Sequence, residues 1–466
     1  MSLDIVRGLT VVIMILVNNG PHEPPPEHFP HAAWNGLGLA DVVMPFFLFM
    51  VGTSIALAFR DGWPGHGAGA DEDEDDADKA RARPTAPPPP KRWDRVRRVL
   101  VRTVKMFALG LLCQGLRSTV YPFPYVDLTI LRIMGVLQRI AIVYVITALA
   151  FLFVPPLPLR GRPRTALGRA LDVLVRYLPL WLVGAVFSAA YNAVMFALFV
   201  PSRYLYVGDD APPIYVECDT VGNLTETCNA ADYVDSLVRT TGAPPLIARS
   251  CGVADRTVER PLLGDDAPHQ VLGNMHMYLP AVPHEPEGLM STASAMGSAF
   301  AGLYFGIVLL RSRRWQRRVA QWGAATALLT VAGVVLALYG GVPINKKLYT
   351  TSYMLLTAGM AGGVLTFVYL TADVVGHCVV RALYFPFMCV GMNAIMIYVG
   401  DSLLWPVVNM AYYEVPSNSL YYVLRDGVAG LVPDAHNGLI LWAACDCVLW
   451  TVVAVVLWRK RVFFKV

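Results

Sequence analysis

No pair of CxxC motifs, no HExxH and no glycine-rich phosphate loop occurs in the chain, so nothing calls for a structural zinc, a zinc protease or a nucleotide fold. Gly-x-Ser-x-Gly is missing as well, which removes the nucleophile elbow of the α/β-hydrolases. Charge is scarce: Asp, Glu, Lys and Arg make up 15% of 466 residues, and a net charge of +4 is too small for a nucleic-acid partner. No clear internal repeat is visible, which weakens a secondary-transporter reading, because many such proteins show two related halves. No separate cleavable signal precedes the first apolar run, since Asp4 and Arg7 come almost at once and no A-x-A-like site follows. The first span is then expected to serve as its own signal.

What the chain has is apolar surface. Hydrophobic residues make up 55% of it, and ten tryptophans with twenty-one tyrosines suit the water–lipid boundary. The fold class expected is all-α: a polytopic transmembrane bundle forming one domain over 1–466. A helix needs roughly 17–25 residues to cross a hydrocarbon core of about 30 Å. Ten segments qualify, near 4–20, 36–59, 97–115, 133–154, 175–200, 288–310, 320–340, 348–372, 382–402 and 437–458. A piece from Trp405 to Tyr413 is too short to span and reads as re-entrant or interfacial, or as an eleventh segment. With both termini cytosolic, the clusters Lys91–Arg98, Arg160–Arg169, Arg311–Arg318 and Arg459–Lys465 all fall inside, as the positive-inside rule requires. Lys346 and Lys347 are the main exception. The connection 60–95 holds DEDEDDAD and a proline run, the composition of a disordered linker. The connection 201–287 falls on the outer, lumenal side and holds the sequon Asn223-Leu224-Thr225. Cys218 and Cys228 lie close enough there to pair in an oxidising compartment.

The most informative stretch is Leu16–Val51. Asn18 and Asn19 close one apolar segment, and a loop rich in proline and histidine follows. The next apolar segment opens with Trp34, Asn35 and Asp41. A carboxylate within an apolar run is costly and marks a functional-site candidate. His31 is the only general-base candidate of its kind, with Asp41 available to orient it and Trp34, Asn35 and Asn18 around it; no serine or cysteine nucleophile competes. Arg132 and Arg139 stand seven residues apart on one helix face beside Gln138, either as a structural pair for Asp4, Asp41 or Asp127 or as a site for an anion such as phosphate. Asn345, Lys346, Tyr349, Ser352 and Tyr353 share spacings that could line a polar vestibule or act as interfacial anchors.

Seven blocks, LDIVRGLTVVIMILVNNG, HAAWNGLGLADVVMPFFLFMVG, RIMGVLQRIA, PEGLMSTASA, INKKLYTTSYML, GMNAIMIYV and LWRKRVFFKV, together resemble the heparan-α-glucosaminide N-acetyltransferase family of transmembrane acyltransferases, whose plant and algal-looking members share the basic pattern. The resemblance implies acetyl transfer from cytosolic acetyl-CoA, without a metal, to the amino group of a lumenal glucosamine-type acceptor across a lysosomal, vacuolar or other endomembrane. It implies that His31 is catalytic and Asn18 assists it. It assigns Arg132, Gln138 and Arg139 to the CoA path, with the arginines taking its phosphates in a channel open to the cytosol. Trp34, Asn35, Asp41, Glu287, Asn345, Lys346 and Tyr353 fall at the outer mouth as substrate contacts. The histidine- and proline-rich insert Pro21–Pro30 and the large outer loop depart from the animal pattern. General base catalysis and an acetyl-histidine intermediate stay open. So do homodimer formation, another acceptor, and a small-anion transporter or channel in which His31 relays protons.

Overall fold

Inside a bilayer each backbone N–H and C=O has to find its partner within the chain, so long apolar runs fold as helices. The computed structural model describes residues 1–21, 31–59, 92–117, 133–158, 166–205, 214–240, 287–312, 314–409, 411 and 419–464. Helix α1 (Ser2–Asn19) is followed by a 3-10 turn (Leu39–Val42) that leads into α2 (Val43–Ala58). Next come α3 (Arg92–Arg117), α4 (Val136–Phe153), α5 (Ala166–Arg176) and α6 (Leu178–Ala197). Two short antiparallel ribbons lie beyond α6: β1 (Phe199–Val200) pairs with β4 (Thr220–Val221), and β2 (Arg203–Leu205) with β3 (Ile214–Val216). They lead to α7 (Ala230–Thr240), α8 (Leu289–Arg311) and α9 (Trp315–Tyr339). Helix α10 (Thr351–Val368) continues as a π-helix over Tyr369–Val375 and stops at Gly376, whose φ of 59° is the left-handed conformation that glycine adopts without strain. The chain ends with α11 (Cys378–Met392), α12 (Ala394–Asn409), α13 (Leu420–Ala429) and α14 (Ala435–Arg459).

Among the described residues, eight helices are long and apolar enough to cross a membrane, or nine if the bent pair α11 and α12 makes one span. Ten were read from the sequence, and two segments account for the difference. Helix α3 is continuous, but its first half carries Arg95, Arg97, Arg98, Arg102 and Lys105, too much charge for an ordinary span. The segment 382–402 is not one helix: the chain bends by 73° between α11 and α12. Asn393 sits at the bend, where its side chain donates to the Val462 carbonyl (3.3 Å) and accepts from the Phe464 N–H (3.1 Å). Trp405 extends α12 and does not open a separate piece. The linker 60–91, the insert 22–30, Arg132 and Cys251, the third cysteine of the 201–287 connection, lie outside the described residues.

Among the helix pairs that glycine brings to backbone contact are α2 with α8 and α1 with α11. Gly302 and Gly306 of α8 lie on Phe49 and Thr53 of α2, and Gly52 of α2 lies between Ala299 and Leu303. Increasing numbers on one helix match increasing numbers on the other, so α2 and α8 run parallel. Gly8 of α1 and Gly391 of α11 make the same kind of contact, the close packing that small residues permit when no hydrophobic force distinguishes helix from lipid. Around the first pair lies the main core, in which Phe49, Phe305, Trp322 and Tyr369 meet ring to ring at 4.9–5.7 Å.

Candidate active site

Gly38 and Asp41 bracket the turn that starts α2. The Asp41 carboxylate accepts the Gly38 N–H (2.8 Å) and the Ala32 N–H (3.1 Å) through Oδ2, and this fixes the loop that carries His31. Its other oxygen, Oδ1, lies 2.6 Å from His31 Nδ1 and 3.3 Å from Lys346 Nζ. Lys346 Nζ is also 2.7 Å from His31 Nδ1. Nδ1 therefore faces a carboxylate and an ammonium together, yet a ring nitrogen has only one proton or one lone pair to offer. A proton on Nδ1 satisfies the contact with Asp41, and that tautomer leaves the lone pair on Nε2, which lies 3.4 Å from Lys346 Nζ. Lys346 then donates to Asp41 and lies against the imidazole. The Asp41 side chain is 1% exposed and that of His31 is 11% exposed.

Burial disfavours the imidazolium, the positive charge of Lys346 adds to that, and together they hold the His31 pKa below its ordinary value of 6.5. The hydrogen bond and charge of Asp41 oppose them, as does the charge of Glu287. Lys347, the next residue, is likewise lowered, first by burial. Its ammonium lies 5.3 Å from the centre of the Trp34 ring and 4.0 Å from Glu226.

The loop from 340 to 350 is bolted to the His31 loop by main-chain and amide contacts. The Gly36 N–H donates to the Ile344 carbonyl (2.8 Å), and Asn345 donates to the Asn35 side chain (3.2 Å) while accepting the Leu348 N–H (2.9 Å). Tyr353 donates to the Asp41 carbonyl (2.6 Å). On the other side Trp34 Nε1 donates to the Leu224 carbonyl (2.9 Å), in a segment closed by the disulfide Cys218–Cys228. An open pocket of about 430 Å³ lies there, lined by Trp34, Asn35, Leu224, Thr225, Glu226 and Pro343.

Of the residues singled out in the sequence, His31, Asp41 and Lys346 meet directly, and Asn35, Asn345, Tyr353 and Trp34 brace them. Glu287 is buried within electrostatic reach of His31. Asn18 is half-buried in the last turn of α1, next to Asn19, which donates to Asp446 (2.7 Å). Arg139 is 2% exposed; it donates to Ser291 and to Thr292 (3.3 Å) in the first turn of α8. Ser291 lies eleven residues before Gly302, and Asp41 eight before Phe49, so the parallel packing of α2 and α8 sets Ser291 and Asp41 within about one helical turn in height. Arg139 also lies 5.5 Å from the Tyr349 ring, which meets Tyr353 edge to face at 5.1 Å. Arg139 thus stands at the His31 end of the bundle, the end at which the alternation of spans starts the fourth segment. The reason is directional: α4 begins level with α2 and α8. Gln138 beside it is fully buried. Glu226, Leu224 and Lys347 are site neighbours that the sequence does not mark as such. No local pattern could have found Glu226, because 192 residues separate it from Trp34.

Residues 1–159 match the family model described as heparan-alpha-glucosaminide N-acetyltransferase, catalytic. The chain is 26% identical over 412 residues to the heparan-alpha-glucosaminide N-acetyltransferase of Homo sapiens, an alignment covering 86% of this chain and 52% of that protein. It is 26% identical over 411 residues to the Mus musculus protein of the same name, covering 86% and 53%. The chain spans about half the length of the curated relatives it matches. His31, Asp41 and Arg139 lie inside the segment matched by the family model.

Proposed function

Since the chain is a relative of the heparan-α-glucosaminide N-acetyltransferases, we propose that it is a membrane-embedded acyltransferase that moves acetyl from acetyl-CoA to the amine of a glucosamine-type acceptor. The observation that carries this reading is the buried contact of His31 with Asp41 and Lys346. An amine attacks a thioester only through its lone pair, so the protonated acceptor must first lose a proton and the attacking nitrogen must lose another as the C–N bond forms. His31 Nε2 accepts the second. Asp41 holds the ring in the tautomer that leaves Nε2 basic, and it offsets the positive charge the imidazole gains. The C–S bond then breaks, and the CoA thiolate leaves with the proton that His31 returns. Asn18 is assigned to the carbonyl oxygen, where negative charge develops.

The pocket between Trp34 and Glu226 supplies what an amino sugar requires: an indole face for the ring and a carboxylate for hydroxyl or ammonium groups. In this reading the His31 end faces the lumen and the donor enters from the cytosolic side, in line with the positive-inside pattern.

The test uses purified protein in vesicles with labelled acetyl-CoA outside and glucosamine inside. His31→Ala is expected to lower acetylation by about 10²–10⁴-fold, the usual contribution of a general base, with the protein still folded. Unchanged acetylation would remove His31 from the chemistry. Flux of an unmodified anion without acetylation would favour the transporter.

A further inference from the structure

Helix α3 holds the densest charge in the described structure, and the proposed chemistry at His31 uses none of it. Arg95, Arg98, Arg102 and Lys105 recur at spacings of three and four, so they form one stripe along the helix. The stripe turns toward α4, where the Arg102 guanidinium lies 5.0 Å from the centre of the Tyr144 ring. Arg98 lies within electrostatic reach of the same hydroxyl, and Arg102 within reach of Arg7 on α1. Arg7 is held by Asp4 (3.1 Å), by the Ser54 hydroxyl (3.1 Å) and by the Gly391 carbonyl (3.3 Å).

Two features set this stripe apart from a row of interfacial anchors. The first is depth. Tyr144 lies nine residues before the end of α4, so Arg102 reaches about 13 Å along the bundle from that end, whereas Arg92 anchors the end itself through the Leu152 carbonyl and the Phe153 ring. The second is satisfaction. The Nε atoms of Arg95 and Arg102 are buried with no hydrogen-bond partner among the described residues. A buried guanidinium donor left unmatched is costly, and an anion relieves both the missing hydrogen bonds and the mutual repulsion of the cations.

The position also fits. Ser54, which holds Arg7, lies thirteen residues after Asp41 on the helix that carries the active-site turn, a separation of about 20 Å. That is the reach of an extended pantetheine arm between a nucleotide's phosphates and a thioester.

Resting on the reading of the protein as acetyl-CoA-dependent, we propose that Arg95, Arg98 and Arg102 of α3, beside Tyr144 and opposite Arg7, bind the phosphates of the CoA donor at the end of the bundle away from His31. Arginine suits the task because its planar fork matches two phosphate oxygens at once. Arg139 is left at the acetyl end.

The same stripe would also attract a lipid headgroup phosphate, so the test compares donors with and without phosphates. Full-length protein in phosphatidylcholine nanodiscs is titrated with CoA and with 3′-dephospho-CoA, and turnover is measured with acetyl-CoA and with phosphate-free S-acetylpantetheine. In Arg102→Met and in the more exposed Arg98→Gln, the Kd for CoA is expected to rise about tenfold or more, the worth of one charge-assisted hydrogen bond. The KM for acetyl-CoA should rise with it, while turnover of S-acetylpantetheine stays at the wild-type value. Unchanged CoA affinity in both variants overturns the site and leaves the acyltransferase reading standing. Equal loss with both donors overturns it in favour of a structural or lipid-binding role. If the wild type neither binds CoA nor acetylates, the donor reading falls and the site with it.

Discussion

Replacing Lys346 by methionine removes a cation 2.7 Å from the His31 ring while keeping most of its apolar stem. The lowered His31 pKa rests first on burial and then on this charge. With His31 as the proposed base, which works in its neutral form, activity is expected to fall as the pH drops through the His31 pKa and to persist below the ordinary histidine range. Lys346→Met is therefore expected to raise the His31 pKa and move the acid limb of the kcat/KM profile to higher pH. Asp41→Asn removes the opposing influences and is expected to move it lower, with a large fall in kcat because the tautomer is no longer enforced. Profiles whose acid limb does not move in either variant would show that His31 is not the titrating base. The pairing of His31 with Asp41 was legible in the sequence, as a carboxylate inside an apolar run beside a histidine. The closeness of Lys346 was not, because 315 residues of chain intervene.

Among the elements, the glycine contact between α2 and α8 determines where the active-site turn stands relative to Arg139. A side chain at Gly302 would meet the Phe49 main chain, which cannot rotate away. Gly302→Val is expected to cost about 1–3 kcal/mol through overpacking, read as a lower thermal midpoint in detergent; an unchanged midpoint would mean that the two backbones are not in contact. The outer segment makes a second case. The Cys218–Cys228 bridge closes a ten-residue separation that carries Leu224 and Glu226 to Trp34. Changing both cysteines to serine is expected to loosen that segment by about 2–4 kcal/mol. The acceptor KM should then rise with the acetyl-CoA KM unchanged, and an unchanged acceptor KM would remove this segment from acceptor binding. Close spacing made the disulfide readable in the sequence. The bend at Asn393 was hidden, because its two side-chain partners come from the chain's last residues.

At the scale of the whole molecule, orientation can be tested with two residues at opposite ends. Asn223 belongs to the segment at the His31 end, and the exposed Cys378 follows α10, the helix that leads away from Lys346. Ser2 at the start of α1 bonds Asp373 at that far end (3.2 Å). With the His31 end lumenal, the protein from a glycosylating host should shift on endoglycosidase treatment, and the shift should vanish in Asn223→Gln. An impermeant maleimide should reach Cys378 only from the cytosolic face. Labelling of Cys378 from the same side as the glycan would reverse the proposed direction of transfer.

The sequence by itself determined the predominantly helical, membrane-embedded character of the chain and marked the stretch around His31 as a candidate site. Both follow from local quantities: the length of apolar runs, and the cost of polar groups within them. Tertiary structure alone decided that the charged stripe of α3 packs on α4, that Lys346 completes the contact at His31, and that Arg139 is held by Ser291 and Thr292 at the start of α8. Each of these depends on which helices lie side by side and how far one is slid along the other. Close approach through glycine sets that register, and composition and periodicity leave it open.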